Sequence, residues 1–240
     1  MSDIISPPKG GRGVIPNSVT CCNLICGCIA TGSAFHDHFA WALLFIVIGA
    51  VFDFFDGMTA RLVGFVSPIG KELDSLADVV TFGVAPAAMV FALFRYVQYP
   101  SWLEPLRDVM PYTAFIMAAF SALRLAKFNI DTRQTSSFIG LPTPANALFW
   151  GSLIVSQSAF LCSGRFNALF LFLFMLLFSF LLVAEIPLFA LKFKNLSWHD
   201  NRVKYIFLLG CILLAPLGVS AVFAAIIWYI ILSLIAWRMG

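Results

Sequence analysis

The chain has 240 residues, 61% of them hydrophobic and only 11% charged, with a formal net charge of +3. A soluble domain carries about a quarter charged residues, so this composition, with a mean hydropathy of +0.94, excludes an ordinary soluble globular protein. The small positive balance is no nucleic-acid patch, and the chain reads as an all-α, polytopic helical membrane protein with about eight transmembrane helices.

Residues 1–13, with Pro7, Pro8, Lys9, Gly10, Gly11 and Arg12, form a loose basic cytoplasmic tail. Apolar stretches of roughly the length that crosses a bilayer then follow at about 14–34, 39–62, 72–96, 112–128, 144–162, 167–191, 205–217 and 219–237. The first has the small residues Thr31, Gly32, Ser33 and Ala34 behind it, as a signal peptide would. Its length and its Asn17, Thr20 and Asn23 argue that it is retained. Cys21, Cys22, Cys26 and Cys28 crowd this helix with no zinc-site spacing, and read as small packing residues. His36, Asp37 and His38 turn the chain into the second stretch. Thr143 and Pro144 read as the N-cap and first-turn proline of the fifth, and Glu185 with Pro187 as a kink and a locally paired acid inside the sixth. The seventh is short and ends at Pro216, Leu217 and Gly218; a re-entrant hairpin is the alternative to the two full spans expected there.

With the N-terminus inside, Lys9, Arg12, Arg61, Lys71, Arg124, Lys127, Arg133, Lys192, Lys194, Arg202, Lys204 and Arg238 fall on the cytoplasmic side. Arg95, Arg107 and Arg165 alone fall outside, a clear positive-inside bias.

Against this apolar background the stretch from Asp53 to Asp78 stands out, with Asp53, Asp56, Gly57, Ala60 and Arg61 followed by Gly70, Asp74 and Asp78. Positions 53, 56, 57 and 60 share one helical stripe, and Asp74 and Asp78 are one turn apart. Two neighbouring helices can therefore aim four carboxylates at one point. Such a cluster in a low-dielectric place needs a countercharge, and oxygen-only ligation suits Mg²⁺ or Mn²⁺.

The pattern Asp-x2-Asp-Gly-x2-Ala-Arg-x8-Gly-x3-Asp-x3-Asp resembles, without departure, the signature of the CDP-alcohol phosphatidyltransferase family. The resemblance implies transfer of a phosphatidyl group from a CDP-linked lipid to an alcohol, with release of CMP. It implies metal ligation, by two ions, at Asp53, Asp56, Asp74 and Asp78, with Asp78 also the general base. It implies CDP contacts at Asn17, Thr20, Asn23, Asp53, Gly57, Ala60, Arg61 and Ser67, where Gly57 lets the nucleotide approach the backbone. Snorkelling remains the other reading of Arg61, and helix–helix hydrogen bonding the other reading of Asn17, Thr20 and Asn23.

Three further stretches resemble the phosphatidylserine synthase branch: Thr81, Phe82, Gly83 and Pro86; Ser121 to Asn129; and Phe138 to Asn146. They imply CDP-diacylglycerol and L-serine as substrates, with Arg124, Lys127 and Asn129 as candidate serine contacts; orientation charges are the competing reading of Arg124 and Lys127. Glycerol 3-phosphate or inositol as acceptor, and a cation-coupled transporter with inverted repeats, are the rival functions. The resemblance further implies a homodimer; the expected location is the cytoplasmic (inner) membrane of a prokaryote, where the positive-inside bias puts the N-terminus and the aspartates on the cytoplasmic side. The expected division is the tail at 1–13, the catalytic core at 14–191 and a C-terminal loop and helix pair at 192–240.

Overall fold

The computed structural model describes residues 14–63, 68–130, 137–189, 191 and 197–239. The chain forms α1 (Val14–Phe35), α2 (Phe39–Val63), α3 (Pro68–Asp78), a π-helical segment (Val79–Val84) and α4 (Ala85–Leu93). After two short 3-10 turns come α5 (Phe115–Ile130), β1 (Ser137–Ile139), α6 (Thr143–Leu161), α7 (Ala168–Val183), β2 (Pro187–Phe189), α8 (Trp198–Leu214) and α9 (Ser220–Met239). Among the described residues, five segments are long and apolar enough to cross a membrane: Asn17–Phe35, Phe39–Met58, Ile69–Leu93, Met110–Ile130 and Ser220–Arg238. Large apolar side chains such as Ile25, Trp41, Phe54, Phe170 and Ile212 stand exposed, as they do where lipid rather than water is the solvent.

The turn between α1 and α2 is closed by Asp37 in the left-handed conformation (φ 62), which Asp tolerates better than most side chains. Its carboxylate Oδ1 lies 2.5 Å from Arg95 Nη2 beyond α4. On the same end of the bundle, Gln98 bridges to Asn167, whose Oδ1 accepts a 3.1 Å bond from the Phe170 N–H and caps α7.

The third span is not a plain helix. Pro86 has no N–H to give to the preceding turn and its ring crowds the carbonyl four residues back. The chain answers with the π-helical segment 79–84, after which the Ala85 N–H donates to the Val80 carbonyl. Asp78 therefore sits at the junction of an α and a π winding, a place where helices often carry function.

Small residues set how closely the helices approach. A Cβ on Gly27 of α1 would stand 2.8 Å from the Thr81 backbone, and one on Gly49 of α2 would stand 2.6 Å from Thr81 Cγ2. The π-helical segment thus lies in a groove formed by two glycines, the usual way for membrane helices to meet closely. Further along, Phe149 of α6 stacks on Phe178 of α7 with ring centroids 3.9 Å apart, and Trp150, fully buried, joins the same cluster.

The structure corrects one expectation. The sixth helix ends at Val183, so Glu185 and Pro187 lie beyond it and no kink arises from them. Pro187 instead opens β2, which pairs antiparallel with β1 in the register Ser137↔Phe189, Phe138↔Leu188 and Ile139↔Pro187. The fold is helical, as expected, with one short two-stranded ladder of three residues a side. The Leu141 N–H donates to the Leu181 carbonyl at 2.8 Å and the Gly140 N–H to the Ile186 carbonyl at 3.0 Å, so the loop before α6 takes up backbone groups that a longer α7 would have used itself. Gly140 (φ +76) is held here because any Cβ would stand 2.4 Å from the Leu182 carbonyl oxygen. Elsewhere the spans fall within a few residues of expectation, except that α8 starts at Trp198 and the helix of the fourth span follows a 3-10 turn, Met110–Ala114, containing Pro111.

Candidate active site and metal centre

Residues three and four apart on α2 place Asp53, Asp56 and Gly57 on one stripe, and α3 with its continuation presents Asp74 and Asp78 one turn apart. Both stripes face α1, which packs against α2, α3 and the π-helical segment. Ligand oxygens of Asp53, Asp56 and Asp74 lie within 4.8 Å of one another. Asp78 is 8% exposed and Asp56 6%, and Asp53 is placed against both Asp74 and Asp78.

Carboxylates this close repel unless a cation or shared protons intervene. No Lys or Arg forms an ion pair with them among the described residues. Asp74 Oδ1 is buried without a hydrogen-bond partner there, so an acceptor atom faces the cluster with nothing to satisfy it. An all-oxygen donor set of this kind fits a hard divalent cation, and the acidic cluster can hold one.

From α1, Thr20 Oγ1 donates to Asp56 Oδ2 at 2.7 Å and Asn23 Nδ2 to Asp78 Oδ1 at 3.2 Å. Thr20 is 3% exposed and Asn23 fully buried, with Asn23 Oδ1 unpartnered. Thr81 Oγ1 donates to the Asn23 carbonyl at 3.0 Å. Thr20 and Asn23 thus hold carboxylates in place, which is the helix–helix bonding weighed against nucleotide contact; Asn23 Oδ1 lies against Gly49 of α2, where a Cβ would stand 2.9 Å from it. Asn17 is half-buried one turn before Thr20, and Gly57 is half-buried one residue after Asp56. Ala60 and Arg61 lie on the last turns of α2, but their side chains, like Ser67 altogether, lie outside the described residues.

The three candidate serine contacts separate. Arg124 is 8% exposed, lies within electrostatic reach of Asp78 and Tyr229, and its Nη1 is 3.5 Å from Thr143 Oγ1. Lys127 is exposed, so three-residue spacing does not bring it into the environment of Arg124. Asn129 is engaged with α3: its Nδ2 donates to Ser75 Oγ at 2.8 Å, and its carbonyl accepts from Lys71 Nζ at 2.9 Å.

Residues not singled out as site residues lie on the helices that meet around Arg124, Thr143 directly against it. Thr143 and Asn146 of α6 and Ser121 of α5 are fully buried, and Tyr229 reaches in from α9. The available signal in sequence was a polar residue within an apolar helix; only the packing selects which of these converge.

The sequence matches the family described as CDP-alcohol phosphatidyltransferase over residues 13–239. It is 36% identical over 189 residues to the CDP-diacylglycerol–serine O-phosphatidyltransferase of Bacillus subtilis, covering 77% of this chain and 92% of that protein. The protein of the same name from Helicobacter pylori (strain ATCC 700392 / 26695) is 32% identical over 228 residues, 93% of this chain and 91% of its own. That from Mycobacterium leprae is 30% identical over 241 residues, 95% of this chain and 75% of its own. The family match takes in the acidic centre and every described helix, and on that ground the chain belongs to the CDP-alcohol phosphatidyltransferase family, whose members are transferases.

Proposed function

We propose that the chain transfers the phosphatidyl group of CDP-diacylglycerol to the hydroxyl of L-serine, giving phosphatidylserine and CMP. The observation that carries the reading is the convergence of the carboxylates of α2 and α3, with a buried guanidinium, Arg124, within electrostatic reach of Asp78. The serine assignment draws on the names of the three relatives.

Asp53, Asp56, Asp74 and Asp78 would hold two Mg²⁺ or Mn²⁺ ions, which when bound neutralise the pyrophosphate and the charge that develops on it. Thr20 and Asn23 keep Asp56 and Asp78 in orientation. Asp78, held at Oδ1 by Asn23, accepts the proton of the serine hydroxyl. The serine oxygen then forms a bond to the phosphorus that carries diacylglycerol, the bond from that phosphorus to CMP breaks, and CMP leaves. Arg124 binds the serine carboxylate. Gly57, Ala60, Arg61 and Ser67, with Asn17, Thr20 and Asn23 from α1, complete the CDP site. Lys127 and Asn129 act beside it, Lys127 as an orientation charge and Asn129 as a tie between α5 and α3.

Arg124 is the one buried Lys or Arg among the described residues. One cation suits a carboxylate, whereas the dianionic phosphate of glycerol 3-phosphate calls for more and uncharged inositol for none.

We further read α6, α7 and α8 as additional spans, making eight with the five long apolar segments. The protein is then a homodimer of the inner membrane of a prokaryote, with its N-terminus and active site on the cytoplasmic side. Residues 14–191 form the catalytic core and residues 192–240 a C-terminal addition.

The deciding experiment gives purified protein CDP-diacylglycerol with L-serine, glycerol 3-phosphate or inositol, and follows CMP and the lipid product. CMP with phosphatidylserine, and only with L-serine, is the expected result. Product with another alcohol instead would leave the reaction class standing and remove serine as acceptor.

A further inference from the structure

We infer that Asn146 is the residue that selects an amino-bearing acceptor, its amide oxygen receiving the ammonium of the acceptor while Arg124 takes the carboxylate. The inference rests on the proposal that serine is the acceptor and assigns the part of the molecule that Arg124 cannot read.

Asn146 is fully buried, yet neither its Oδ1 nor its Nδ2 has a hydrogen-bond partner among the described residues. Buried amides are rarely left so, and an orphaned pair of this kind marks a place built for a ligand. Asn146 stands three residues after Thr143 on α6, hence on the same face, and Thr143 Oγ1 is the atom next to the Arg124 guanidinium. Arg124 repeats the pattern: it is 8% exposed and its Nε is unpartnered. Its helix, α5, packs on the π-helical segment that follows Asp78, where a Cβ on Gly83 would stand 3.0 Å from Ser121 Cβ. The same segment packs against α6. Tyr229 approaches Arg124 from α9 while its hydroxyl donates to the Phe189 carbonyl at 2.9 Å, so it offers no competing acceptor charge.

The chemistry separates the two roles. An ammonium carries donors only and a guanidinium likewise, so Arg124 repels the amino end of serine and binds only its carboxylate. A neutral amide supplies an acceptor oxygen for the ammonium and, on Nδ2, a donor for a carboxylate oxygen. A site built to hydrogen-bond a group rejects the analogue that lacks it, because its own buried atoms then stay unpaired.

The test compares L-serine with 3-hydroxypropionate, which keeps carboxylate and hydroxyl but lacks the ammonium. The wild type should prefer L-serine strongly. Asn146→Ala should raise the KM for L-serine about tenfold or more and shrink that preference by a similar factor, with the KM for CDP-diacylglycerol unchanged. Asn146→Ser, which keeps an acceptor in less volume, should fall between, and it serves if the alanine variant does not fold. A wild type that uses both acceptors equally overturns the inference, as does an Asn146→Ala enzyme with its preference intact or with both acceptors affected alike. A wild type that ignores L-serine for another alcohol overturns the serine reading and this inference together; one that uses serine while Asn146→Ala retains its preference overturns the inference alone.

Discussion

Each aspartate of the centre is held differently, and the differences predict different losses. Asp78 has one oxygen bonded to Asn23 and lies within electrostatic reach of Arg124, so Asp78→Asn should leave much of the metal and donor binding while turnover falls roughly 10²- to 10⁴-fold. Metal titration beside steady-state rates checks this; near-native turnover would remove Asp78 from the base role. Asp56 depends on Thr20, whose hydroxyl donates to it at 2.7 Å. Thr20→Val keeps the volume and removes the donor. A hydrogen bond to a charged group contributes about 1.5–3 kcal/mol, so the metal concentration giving half-maximal activity should rise roughly tenfold or more, with Thr20→Ser close to wild type. An unchanged midpoint in Thr20→Val would mean that Asp56 needs no such support.

At the scale of the element, the centre depends on how closely α1, α2 and the π-helical segment approach. Gly27→Ala puts a Cβ 2.8 Å from the Thr81 backbone, whereas a Cβ on Gly32, on the same helix, meets nothing within 4 Å. Overpacking of this kind costs about 1–3 kcal/mol, while an open helical glycine replaced by alanine gains up to about 1 kcal/mol. Thermal melts in detergent should therefore move in opposite directions for Gly27→Ala and Gly32→Ala. Equal melting temperatures would show that the segment can shift away from α1 at little cost. Because Thr81 donates to the Asn23 carbonyl and Asn23 to Asp78, the Gly27 variant should lose activity beyond its loss of stability.

For the whole molecule, two measurements bear on the metal and on the orientation in the membrane. Chelation by EDTA should abolish CMP release and added Mg²⁺ or Mn²⁺ should restore it; full activity in thoroughly chelated protein would remove the metal from the reaction. Exposed Cys162 follows α6, on the end of the bundle where Gln98 bridges to Asn167 and Arg95 meets Asp37. In a variant keeping Cys162 as its single cysteine, a membrane-impermeant thiol reagent should label intact cells from outside. Labelling only in inverted vesicles would reverse the orientation.

How much of this was legible in the chain depends on the range over which each feature is decided. Apolar length and the i, i+3, i+4 stripe are local properties, so the sequence by itself determined the membrane class, the approximate spans and the helical faces carrying Asp53, Asp56, Asp74 and Asp78. Where a feature needed a partner distant in the chain, the sequence fell short. The helix of the sixth span, α7, stops at Val183, where Pro187 has no N–H for that carbonyl and crowds it; that break was legible, but not that Leu141 takes the Leu181 carbonyl or that β1 pairs with the chain beyond. Arg124 and Lys127 have equivalent local spacing, yet packing against Thr143 buries one and leaves the other exposed. Only the tertiary structure could decide that Thr20 and Asn23 bond to carboxylates, that Thr143 meets Arg124 and that the buried Asn146 amide stays unpaired, because hydrogen-bond satisfaction depends on which helices meet and not on the composition of any one of them.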